Sequence, residues 1–153
     1  MRWLVVLAVA VACSSPTRSA TAQPAPPPPA QPSKRIPKAS GALKAYKGPE
    51  GELIIMIEVN DGKEMLVHFK NIGNELEGQT RLYLFEDQGR GDKNVFLNKK
   101  RGSKWYRSTI LNARENQWSF FHPDKPSTTF PIHYSERESS KLKVEDVIDT
   151  YKP

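Results

Sequence analysis

The sequence predicts a small all-β domain, an antiparallel β-sandwich or barrel of about seven strands with a short C-terminal helix. Three observations predict it. Short runs rich in Val, Ile, Phe and Tyr recur from residue 50 onward. Turn signals built on Gly, Asn and Asp separate them. Helical spacing appears at the C-terminus.

The clearest element is "ELIIMIEVNDGKEMLVHF". Two β-rich runs, Glu52–Val59 and Lys63–Lys70, flank Asp61-Gly62, a pair that adopts the positive φ values of a type I′ turn and so predicts a hairpin. Leu53 to Ile57 is apolar at consecutive positions, which predicts cover on both faces, as in a central strand or one crossed by another segment. "TRLYLFE" repeats that pattern, and "NVFLNKKRGSKWYRSTIL" predicts a second hairpin turning near Arg101-Gly102-Ser103. "QWSFFH" and "TFPIHYSE" supply two further strands; Pro131 assigns the last an edge position, because proline cannot donate to a ladder. Val144, Val147, Ile148 and Tyr151 follow i, i+3, i+4, i+7 spacing, that of a short helix laid on the sheet. The alternation of Leu142 and Val144 offers a last strand instead.

The chain divides into an export-signal region (1–22), a proline-rich and then basic linker (23–48) and a β domain (49–153). Arg2 provides a positive start, and Trp3–Ala12 is an unbroken apolar run of ten residues. A membrane span needs about 20, whereas a secretory signal core needs roughly 7–15. Two cleavage sites compete. Ala20-Thr21-Ala22 presents small residues where a signal peptidase reads them, giving a cut after Ala22. Ala10-Val11-Ala12-Cys13 resembles the lipobox of bacterial lipoproteins, over four residues and with Ala10 where that family prefers Leu. The resemblance implies acylation of Cys13, the chain's only cysteine, which would become the mature N-terminus.

Gln23–Pro32, "QPAPPPPAQP", has no apolar periodicity; as polyproline II its ten residues reach about 31 Å. Lys34, Arg35, Lys38, Lys44 and Lys47 follow without an acid, which reads as a solvated tail or as a basic spacer over anionic head groups or wall polymers. With a single cysteine no intramolecular disulfide can form, so the domain relies on its hydrophobic core. The net charge of +6 falls to +4 once Arg2 and Arg18 are removed with residues 1–22, too mild an excess to argue for nucleic acid.

Catalytic signatures are sparse. His68, His122 and His133 have no metal-ligand spacing; convergence with Asp124 or Glu136 on a zinc ion would need a fold-dependent cluster. No nucleophile elbow, phosphate-cradling glycine loop or nucleotide fingerprint occurs, so no catalytic, metal or cofactor residue is assigned. Glu75/Glu77 and Glu136/Glu138 read as solvent-facing charges on strands. The stretch "EDQGRGDKN" reads as a polar connection; its Arg90-Gly91-Asp92 tripeptide and its Asp and Asn side chains match integrin-ligand and calcium-loop patterns only weakly.

The stronger signal is charge segregation. Residues 48–92 carry ten acids and four bases; residues 93–114 carry seven bases and no acid. Five of those bases, Lys99, Lys100, Arg101, Lys104 and Arg107, surround the Gly102 turn beside Trp105 and Tyr106. A basic hairpin tip with aromatic rings suits an anionic polymer, the cation meeting charge while a ring stacks on a sugar. The competing reading pairs these bases with acids of neighbouring strands. Adjacent strand residues face opposite ways, so one of Trp105/Tyr106 and one of Phe120/Phe121 should leave the core.

The sequence therefore points to an exported, envelope-associated, lipoprotein-like module without catalysis, in the periplasm, at the outer membrane or secreted. It binds an anionic envelope polymer or a protein partner through Lys99, Lys100, Arg101, Lys104, Trp105, Tyr106 and Arg107, and meets a membrane only through its lipid. The alternatives are a small metal-assisted extracytoplasmic hydrolase and a structural or assembly subunit using an exposed strand edge.

Overall fold

A computed structural model describes residues 27–122 and 127–153. Eight antiparallel strands close into an up-and-down barrel in sequence order. They are β1 (Lys44–Lys47), β2 (Leu53–Val59), β3 (Glu64–Lys70), β4 (Thr80–Gly89), β5 (Asp92–Arg101), β6 (Lys104–Arg114), β7 (Gln117–Phe121) and β8 (Thr129–Tyr134). Two short helices follow, α1 (Glu136–Ser139) and α2 (Val144–Ile148). The sandwich-or-barrel alternative thus resolves as a barrel.

Both expected hairpins form. In the first, Asn60, Asp61 and Gly62 all take positive φ (53°, 61° and 72°), so the turn begins one residue earlier than Asp61-Gly62. Gly62 N–H donates to the Val59 carbonyl at 3.2 Å, which centres the first tight turn on Asn60-Asp61. In the second, Arg101 pairs with Lys104 around Gly102-Ser103.

Strand alternation sorts the apolar residues into two cores. Tyr46, Ile54, Met56, Met65, Val67, Phe69, Tyr83, Val95, Trp118 and Phe120 belong to the cluster that fills the barrel. Their intervening neighbours Ala45, Ile55, Ile57, Val59, Leu66 and Leu82 form a second cluster on the outside of β1–β4, covered by Leu43, Leu142, Val144, Val147, Ile148 and Tyr151. The continuous apolar run of β2 therefore has cover on both faces, as its sequence predicted. The helical spacing of Val144, Val147 and Ile148 lays α2 on that outer cluster, while Tyr151 lies beyond the helix and bridges to Thr80.

Three expectations need revision. Residues 23–48 read as linker, yet Lys44–Lys47 is β1, with Ala45 fully buried and Tyr46 nearly so. Upstream of it, Ser40 and Gly41 N–H groups donate to the Glu58 carbonyl (2.9 and 3.1 Å), so this segment lies against the barrel. Residues 86–94 read as a loop but are mostly strand: β4 and β5 meet at a two-residue turn, Arg90-Gly91, with φ of 55° and 84°. The paired glutamates are not strand charges either. Glu77 sits in a turn and its carboxylate accepts from the N–H groups of Asn71, Ile72 and Gly73; Glu136 and Glu138 lie in α1.

The seam that closes the barrel is short. β1 and β8 share two pairs, Tyr46↔Tyr134 and Lys47↔His133. Pro131 lies beyond them and pairs only with Ser119 of β7, so its missing donor faces no strand.

Candidate functional site

The barrel interior is packed with side chains. Tyr83, Phe69 and Phe120 are fully buried inside it, with Phe69 packed edge-on against Tyr83 at 6.3 Å. Burial pushes the Tyr83 phenol up to about 12. The predicted site residues lie on the outside surface.

There β5 and β6 do something their neighbours do not. Pairing of β4 with β5 starts at Leu84↔Phe96, and pairing of β6 with β7 stops at Leu111↔Phe120. Between Leu97 and Arg101, β5 pairs with β6 alone. The hairpin thus projects from the barrel as a two-stranded ribbon. A register shift between Val95 and Phe96 marks its base, where a bulge redirects the strands.

The predicted site residues occupy this ribbon. Lys99, Lys100, Arg101 and Lys104 are exposed around the turn and make no ion pair among the described residues. Lys100 Nζ lies 5.9 Å from the Trp105 ring centroid, within cation–π range. Trp105 and Tyr106 are 38% and 47% exposed, so both rings, not one of the two, leave the core. At the other pair Phe120 is buried and Phe121 half-buried.

Arg107 belongs to a different set. Its guanidinium donates to both oxygens of Glu86 (2.7 and 3.3 Å) and lies 4.3 Å from the Phe96 ring centroid. Arg107 holds the Glu86 carboxyl below its usual range, with help from Gln88. Lys93 is also engaged, with Asp87 at 3.5 Å. The acid-pairing alternative therefore accounts for Arg107 at the ribbon's base and Lys93 nearer the β4–β5 turn, and leaves Arg114 and the four bases of the tip.

Behind the tip a groove of about 570 Å³ runs over the outer face, walled by Leu84, Phe96, Trp105 and Tyr106 and closed by the Arg107–Glu86 pair. Pro29 and Ala30 form part of its lining. Asn98, on the ribbon, donates through Nδ2 to the Ala30 carbonyl at 2.7 Å and accepts from Gln31 Nε2 at 2.9 Å. Sequence reasoning missed Asn98, Phe96 and this groove. The only sign was an uncharged polar residue at position 98 before a run of bases.

The histidines are dispersed in role. His68 Nδ1 bonds Thr80 Oγ1 (2.8 Å), which meets Thr150 Oγ1 (2.5 Å) under the C-terminal segment. Burial first and Lys70 second lower the His68 pKa. His122 bonds Asn74 at 3.1 Å and packs against Phe120, while His133 is exposed on β8. Among the described residues no group of three or more His, Cys, Asp or Glu is placed to hold a metal ion. Asp124, Cys13, Ala22 and the Trp3–Ala12 run lie outside the described residues.

The fold and site together define a class: a closed, side-chain-filled antiparallel barrel that presents a basic, aromatic ribbon. Known protein-family models, curated proteins and solved structures contain no match to this chain.

Proposed function

We propose that this chain is an exported, envelope-associated binding module that grips an anionic polysaccharide with the tip of its β5–β6 ribbon. The observation that carries the reading is the ribbon itself, which projects four cations without an ion pair among the described residues, beside two exposed rings. Such a tip meets repeating charge with Lys and Arg and stacks a sugar face on Trp105 or Tyr106. The filled barrel supplies a rigid base, and the segment before β1 links it to the mature N-terminus, either an acylated Cys13 or Gln23.

Binding to polygalacturonate-coated beads tests the reading at rising salt. Retention should fall steeply as salt screens the contacts. It should also drop at least tenfold in the variant K99A/K100A/R101A/K104A, with melting unchanged. Retention indifferent to both overturns the tip as the site. The mass of the mature protein from the native host tests the export reading: an acylated N-terminal cysteine or a Gln23 start supports it, and an intact residue 1–22 segment overturns it.

A further inference from the structure

The outer-face groove is distinct from the basic tip in chemistry as well as position. Of the two cations in its lining, Arg107 is spent on Glu86, and Lys63 alone has no ion pair among the described residues. Its walls include Leu84, Phe96, Trp105 and Tyr106, and its amide side chain, Asn98, bonds peptide. A groove with one unpaired lysine among apolar walls offers little to a polyanion. It suits an extended, uncharged chain that shows carbonyl oxygens and apolar rings.

A proline-rich segment meets that description. Proline has no N–H, so a proline run can be read only through its carbonyls and the packing of its rings. Polyproline II leaves those carbonyls without internal partners and is already extended, so docking it on aromatic walls costs little ordering entropy. The chain carries such a run, and its residues sit there: Pro29 and Ala30 line the groove, with the Ala30 carbonyl on the Asn98 amide. Gln31 returns a bond to the Asn98 carbonyl, on a stretch of β5 that no β4 strand covers.

We propose that the groove over β4–β6 is a recognition site for an extended proline-rich peptide, with the chain's own Pro27–Gln31 as its resident ligand. The site goes beyond the polysaccharide reading and stands or falls separately. It makes Asn98 the specificity residue and Trp105 a wall shared by both surfaces. Docked, the segment fixes where the chain leaves the barrel, beside the basic tip. A proline-rich segment of another polypeptide competes for the same place.

The test uses the full chain and the variant P27S/P28S/P29S, which removes the ring contacts while keeping Asn98. A synthetic peptide with the sequence Gln23–Pro32 is titrated into each, reading the Trp105 indole N–H resonance assigned with W105F. The variant should bind the peptide saturably. The wild type should bind at least tenfold more weakly, because its own segment competes at the millimolar effective concentration of a short tether. Asn98→Ala in the variant background should abolish the shift, and a Gly/Ser peptide of equal length should give none. Equal binding by wild type and variant, or a shift that survives N98A, overturns the proposal. So does equal binding of the Gly/Ser peptide. If the triple variant fails to melt cooperatively, N98A alone decides. The Trp105 resonance must then move toward its position in free solvent, and an unmoved resonance overturns the resident-ligand assignment. A wild-type dimer that dissociates on adding the peptide supports the site with the segment exchanged between copies.

Discussion

Arg107 of β6 reaches Glu86 of β4 with two hydrogen bonds, at 2.7 and 3.3 Å, fastening the ribbon's base across the intervening strand. The pair separates two surfaces. Beyond it the tip cations make no ion pair among the described residues; at its level Arg107 is balanced by Glu86, and the groove there is walled mainly by apolar side chains.

Glu86→Gln should cost only about 0.2–1 kcal/mol, because the two side chains are 51% and 37% exposed and water screens the pair. The Glu86 pKa is depressed, so its contribution is complete above the usual carboxylate value and is lost as pH falls through the lowered one. Urea unfolding at pH 7 and pH 3 measures both. A loss above 2 kcal/mol at pH 7 would show that the pair does more than brace the surface.

His68 predicts an acid-sensitive fold. Burial holds its folded pKa below the ordinary histidine value of 6.5, so the unfolded chain binds the proton more readily. Stability is complete above pH 6.5 and declines as pH drops from there toward the folded-state value. Melting temperatures at pH 7.5 and 5.0 should differ in the wild type and converge in His68→Gln. An undiminished acid shift in that variant would place the titration elsewhere.

Phe120→Ala should destabilise the barrel by about 3–5 kcal/mol. The ring is fully buried and packs on Phe130 at 5.1 Å and Phe69 at 6.1 Å, so nothing flexible can fill the gap. Phe121→Ala, half-buried on the next position, should cost clearly less in the same denaturant titration. Equal losses would contradict the inward orientation of Phe120.

The two hairpin glycines should respond differently to alanine. Gly102 has φ 61° and open space around a new Cβ, so Gly102→Ala costs about 1–2 kcal/mol for the left-handed backbone alone. At Gly91 (φ 84°) a Cβ would stand 2.8 Å from the Asn116 backbone nitrogen, adding a clash with a turn that cannot retreat. Thermal melts should therefore rank Gly91→Ala well below Gly102→Ala. The reverse order would contradict the close approach of the two turns.

What the sequence shows about this molecule follows from how local each signal is. The Asn60–Gly62 turn, the Gly102 turn and the spacing of Val144, Val147 and Ile148 are set by neighbours in the chain, and each was legible. β1 was not, because Lys44-Ala45-Tyr46-Lys47 offers two apolar residues between lysines and becomes a strand only through β2. Gly89 and Gly91 suggested looseness, whereas they serve a tight turn that lengthens both strands. The tip cations were visible as a charge run, yet the commitment of Arg107 to Glu86 spans 21 residues and depends on strand order. The Asn98 groove is less legible still: its ligand lies 68 residues away, in a tract that carries no periodicity.

The two-pair seam between β1 and β8 gives the domain a mechanical grain. Tension applied through the N-terminal segment first strains the Asn98 contacts, then reaches β1, a four-residue strand that holds β2 by four pairs and β8 by two. Once the Asn98 contacts release, the opposite wall, where the 10-residue β5 pairs with the 11-residue β6, is off the line of that load. Under pull, the barrel opens at its seam while the ribbon that carries the binding surfaces stays folded, so the grip outlasts the closure.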